Sequence, residues 1–134
     1  MHFEKFNYKR PNIEKWEHDL KHLLNRLKLS REIEEISNII SKINQLRSNF
    51  ESMMNLAYLQ FMRNTSDSFY SEEQKFYDEF SPIYQNLIND YFRILVNCEC
   101  RSQLEEVWGK QFFSLAELQT KTISTNIIEE LVME

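Results

Sequence analysis

Residues 31–63 read REIEEISNIISKINQLRSNFESMMNLAYLQFMR. No glycine or proline interrupts them, and Ile33, Ile36, Ile40, Ile43, Phe50, Met54, Ala57 and Phe61 recur at helical spacing, with Ile39, Leu46 and Met53 alongside. Side chains three, four and seven positions apart share one face of an α-helix, so this pattern predicts a single helix over 31–63. Ser30 is placed to cap it. At 1.5 Å per residue the helix is about 50 Å long, more than one short neighbour can cover. Several other helices must therefore flank it.

The flanking segments supply them. Asn12 precedes Ile13, Trp16, Leu20, Leu23, Leu24 and Leu27, which predicts a capped helix over 12–28. Beyond Arg63, NTSDS at 64–68 is a cluster of small polar turn formers. Phe69, Phe76, Tyr77 and Phe80 then open a third helix over 68–97, which Ile83, Tyr84, Leu87, Ile88, Tyr91, Phe92 and Leu95 continue. Ser81–Pro82 predicts a kink or a break in that helix. Leu104, Val107, Trp108, Phe112, Leu115 and Leu118 predict a helix over 101–121, with Gly109 inside it as a point of close packing. Ser124 or Thr125 would cap a last amphipathic helix over 125–134. No segment alternates with period two. The expected fold is all-α: one domain over 1–134, a bundle of long antiparallel helices without a sheet.

Composition agrees. One glycine and two prolines in 134 residues leave few tight turns for hairpins. A hydrophobic fraction of 42% argues against disorder. The net charge of −5 comes without a basic stripe, which argues against a nucleic-acid partner. No apolar run reaches the roughly 20 residues that span a bilayer, and the first residues, MHFEKFNYKR, lack the apolar core of a signal peptide. The expected compartment is the cytoplasm.

Several short constellations resemble catalytic or metal sites. HDLKH at 18–22 sets His18 and His22 four apart, as the zinc motif H-E-x-x-H does, but with aspartate in place of the glutamate. Counting 100° per residue from Ile13, the apolar residues of that helix fall between about 280° and 20°, whereas His18 and His22 fall near 140° and 180°. Both imidazoles therefore face solvent and are read as a surface decoy; a catalytic zinc needs a third protein ligand and a shielded cavity. Asp19 and His22 are the only loose analogue of a di-iron Glu-x-x-His pair. Cys98 and Cys100 have no second Cys or His pair nearby and are read as small residues at a helix junction. Glu34–Glu35, Glu72–Glu73 and Glu105–Glu106 are adjacent pairs, which do not face each other on a helix and are read as solvated faces. The aromatic residues are numerous enough that some are expected on a docking surface.

Three longer strings go further. KFNYKRPNIEKW at 5–16, INQLRSNFESMMNLAYLQFMRNTSDSFYSEEQKFYDEFSPIYQNL at 43–87 and EVWGKQFFSLAELQTKTIS at 106–124 resemble the N-terminal region of oligoendopeptidase F. This is a family of cytoplasmic zinc metallopeptidases related to thimet oligopeptidase. The likeness extends over residues 3–134 and keeps the order and spacing of RP, NTSD, SP and WGKQ. It implies a helical region forming one wall of a channel that limits substrates to short peptides. It also implies that the zinc site belongs to a catalytic domain outside these residues, so no position here carries catalysis and no cofactor is expected in this chain. The expected partners are that catalytic domain and, in the parent enzyme, short peptides. A truncated form of such an enzyme is expected to expose or self-associate a surface around Phe112, Phe113, Ile127 and Ile128. Two other readings stay open on the residues: a stand-alone helical interaction module with an aromatic surface, and a minimal metalloprotein using His18 and His22.

Overall fold

A computed structural model describes residues 8–120. α1 spans Ile13–Leu29, α2 Ile33–Arg63, α3 Ser68–Val96 and α4 Arg101–Trp108; α5 occupies residues 110–120. No strand occurs among the described residues, and the fold is an all-α bundle.

Local chemistry sets the helix ends. The Asn12 side chain accepts the Lys15 N–H at 3.2 Å, satisfying a donor that the first turn of α1 leaves open. Asp67 does the same for α3 through the Phe69 and Tyr70 N–H groups. Ser30 terminates α1 instead of capping α2: its backbone N–H bonds to Arg26 O. Glu32 then holds the N-cap position of α2 with no side-chain hydrogen bond.

Proline leaves its helix unbroken, whereas glycine divides one. α3 runs through Ser81–Pro82 without a break. Asp78, Glu79 and residues 81–83 are exposed, so water can reach the carbonyl that proline leaves unbonded. Gly109 does divide the expected 101–121 helix, at φ +91° and ψ 147°. A Cβ there would meet nothing within 4 Å, so close packing is not the reason for the glycine. The backbone conformation is, because L side chains rarely adopt it.

Matched contacts fix the helix directions. Tyr91 donates to Asn44 at 3.0 Å and Tyr84 donates to Glu51, so seven residues forward on α2 correspond to seven back on α3. Trp16 meets Phe50, and Arg26 meets Glu35, which makes α1 antiparallel to α2 as well. The core along this seam is aliphatic near the α1–α2 turn: Leu20, Leu24 and Leu27 lie with Ile36, Ile39, Ile40 and Ile43. Further along it becomes aromatic. Phe50 stacks on Tyr84 at 4.6 Å and packs against Trp16, Tyr77 and Phe80. The Trp16 indole N–H is satisfied by Leu46 O at 3.0 Å.

α1 is 17 residues long and α2 31, so α1 covers only part of the α2–α3 hairpin. Beyond Trp16 the chain preceding α1 takes over, with Tyr8 against Phe69 and Tyr70 and Arg10 over the Phe76 ring at 4.3 Å. At the other end, Leu104 of α4 and Phe113 and Ala116 of α5 join the core. The apolar periodicity over-reached at Phe69, Ile83, Val107, Leu115 and Leu118, all of which are exposed.

Candidate functional site

The zinc-like constellation lies on the surface of α1. His18 and His22 are exposed. His22 and Asp19 border a shallow cleft together with Arg26 and Lys42, two cations that repel a metal ion. Among the described residues no three of His, Cys, Asp and Glu converge. These side chains do not fit a resident zinc. Cys98 and Cys100 are half-buried free thiols beside Lys28 and Arg31. The Cys100 thiol lies 3.6 Å from Arg31 O, and burial pushes the Cys98 thiol up, away from the reactive thiolate form.

Two acids expected on solvated faces do structural work. Glu73 is only 4% exposed. Its carboxylate accepts the Tyr8 hydroxyl at 2.6 Å and a forked guanidinium contact from Arg10. Tyr8 also lies 3.1 Å from the Tyr77 hydroxyl. The Arg10 hydrogen bonds hold Glu73 below the usual carboxylate range, against the opposing effect of burial. The Tyr8 hydroxyl is pushed far up by burial and by the adjacent carboxylate. This network pins the segment before α1 to α3. Glu105 is half-buried and pairs with Arg101, which also reaches Glu117 and so ties α4 to α5. Glu34, Glu35, Glu72 and Glu106 are exposed as expected.

The expected docking residues separate. Phe113 is fully buried in the core, under Arg101, whose guanidinium lies 5.6 Å from its ring. It is not surface. Phe112 is half-buried, and Ile127 and Ile128 lie outside the described residues. Phe112 borders a groove of about 490 Å³ between α5 and the α2–α3 hairpin, lined also by Arg47, Phe92, Leu115, Ala116, Leu118 and Gln119. Arg47 and Phe112 also border a second, polar depression of about 350 Å³ with Asn44, Ser48, Glu51, Ser52 and Asn55 along α2. The two depressions share these two residues.

Among the described residues, Arg47 is the single charged one lining the apolar groove. Its guanidinium lies 5.1 Å from the Phe92 ring and 6.0 Å from the Tyr91 ring, and its Nε is buried without a hydrogen-bond partner. Sequence reasoning passed over it, yet the signal was present. Arg47 follows Ile43 by four and precedes Phe50 by three, so a cation interrupts the apolar stripe in phase.

Comparisons with known proteins complete the description. The sequence matches the family model "Peptidase M3 N-terminal domain" over residues 3–123. None of the curated proteins matches. Among solved structures, "PZ peptidase A with inhibitor 2" is 44% identical with a TM-score of 0.87, over 97% of this chain and 23% of that one. A Bacillus anthracis protein described as an oligoendopeptidase F is 39% identical with a TM-score of 0.86, over 98% of this chain and 24% of that one. Another oligoendopeptidase F structure is 38% identical with a TM-score of 0.86, over 91% and 22%. The chain thus spans about a quarter of the length of the solved proteins it matches.

Proposed function

Because the chain belongs to the Peptidase M3 N-terminal domain family, we propose that it is a non-catalytic wall of the substrate channel in a cytoplasmic oligopeptidase. The observation that carries this reading is the coverage. Between 91% and 98% of the chain superposes on under a quarter of each solved relative, at identities of 38–44%. In this reading the remaining length supplies the catalytic domain and its zinc. The helices described here set how wide the channel is, and hence which peptides enter it. Their histidines face solvent, and Glu73 and Asn44 use their hydrogen bonds to hold segments of the bundle together.

The purified 134-residue chain tests the non-catalytic part. Incubated with zinc and internally quenched peptides, it releases no product above a protein-free control. Zinc-dependent cleavage that disappears on His18→Ala or His22→Ala would overturn the reading and favour a minimal metalloenzyme.

A further inference from the structure

We propose that the groove between α5 and the α2–α3 hairpin is a binding site for the C-terminal end of a peptide. The free carboxylate pairs with Arg47, and the last side chain packs on Phe92, Phe112 and Leu115. The peptide class rests on the channel-wall reading above; the choice of terminus rests on the groove.

Three observations converge. First, Arg47 makes no ion pair among the described residues. Its buried Nε–H has no acceptor, and contact with two aromatic rings holds the guanidinium beside the groove. A carboxylate matches that planar fork in the two-pronged geometry characteristic of arginine. The acid in the adjoining depression, Glu51, already accepts the Tyr84 hydroxyl. Second, the groove around the cation is apolar, which suits one terminal side chain and strengthens the charge pairing by excluding water. Third, Ser48, Ser52 and Asn55 run along one face of α2 away from the same cation. They reach about 12 Å from Arg47 at 1.5 Å per residue, the length of roughly four extended residues. Amides and hydroxyls at that spacing serve a peptide backbone, whereas a fatty acid has no use for them. With a net charge of −5 the chain has no general attraction for anions, so recognition is local to Arg47.

The test is calorimetric titration of the full chain with an acetylated tetrapeptide ending in leucine. The free acid, its C-terminal amide and decanoate are compared. The acid is expected to bind at least tenfold more tightly than the amide and than decanoate. Arg47→Gln removes the difference between acid and amide. Leu115→Glu, at an exposed position, sets a carboxylate in the groove and weakens the acid by a similar factor. It does so without touching the core, and so serves where Arg47→Gln fails to fold. Equal binding of acid and amide, binding of decanoate as tight as the peptide acid, or no binding at all would each overturn the proposal. So would concentration-dependent dimerisation that Arg47→Gln abolishes, since a second copy would then occupy the groove. Binding is read without turnover, so a negative result leaves the channel-wall reading standing, and a failed peptidase assay leaves the groove standing.

Discussion

Removing the Arg10 side chain should destabilise the bundle at neutral pH and do so much less in acid. Glu73 is 4% exposed, and Arg10 supplies most of the donors its carboxylate accepts. Arg10→Ala leaves a buried charge with the Tyr8 hydroxyl alone. A buried ion stripped of its partner costs about 3–5 kcal/mol when fully enclosed. The Arg10 side chain is 48% exposed, so water reaches the vacated space and about 1–3 kcal/mol is the better expectation. The sign of the pH dependence follows from the lowered pKa of Glu73. A depressed carboxyl contributes stability above its unfolded pKa, and loses it as pH falls through the folded value. Without Arg10, burial acts unopposed and raises the Glu73 pKa. Protonation then relieves the variant at a pH where the wild type keeps its ion pair.

The assay is urea denaturation followed by tryptophan fluorescence, at pH 7 and near pH 4, for the wild type, Arg10→Ala and Glu73→Gln. The Arg10→Ala deficit should shrink by at least half between the two pH values. With a urea slope of about 1–3 kcal/mol/M, the neutral-pH midpoint should fall by about 1 M. The Glu73→Gln deficit should shrink less, only by the stability that the wild type itself loses as Glu73 titrates, because the variant buries no charge that acid relieves. An equal deficit for Arg10→Ala at both pH values would refute the reasoning, because the loss would then come from packing on Phe76 and not from an orphaned carboxylate.

Other expectations follow from the same structure. Phe50→Ala removes a ring 2% exposed and stacked at 4.6 Å on Tyr84, and should cost about 3–5 kcal/mol, whereas Phe69→Ala, at a ring 55% exposed, should cost less than about 1 kcal/mol. Paired urea midpoints decide this, and equal losses would contradict the placement of the core. Gly109→Ala meets no steric neighbour but forces alanine to φ +91°, and should cost about 1–3 kcal/mol. A neutral or stabilising effect, measured by thermal unfolding, would contradict a backbone role for this glycine.

The bundle was legible in the sequence because periodicity at 3.6 residues survives wherever a helix has one dry side. The unbroken apolar stripe from Ile33 to Phe61, the cap at Asn12 and the turn cluster at 64–68 located three long helices to within a few residues. The errors have specific causes. Pro82 was weighed as a kink or a break; the helix does not break, because the carbonyl the proline frees lies where Asp78 is exposed and water can reach it. Gly109 was weighed as a packing residue because a positive φ leaves no mark in composition. Glu73 was grouped with Glu72 as a surface pair. Its burial depends on Tyr8 and Arg10, more than sixty positions away, and no local pattern encodes that contact. Arg47 was the one readable clue to the groove, a cation in phase with isoleucines and phenylalanine.

The channel-wall role is tested most directly in a relative that holds a catalytic domain. "PZ peptidase A" is 44% identical to this chain over the matched quarter of its length, enough for the helices to be exchanged. Replace that quarter with this chain, and measure kcat/KM for a series of peptides of increasing length. Repeat the series in a form lacking the quarter altogether. The account predicts that the chimera cleaves short peptides and falls off steeply with length, while the deleted form loses that length limit or its activity. A deleted form that cleaves the whole series as the intact enzyme does would contradict it.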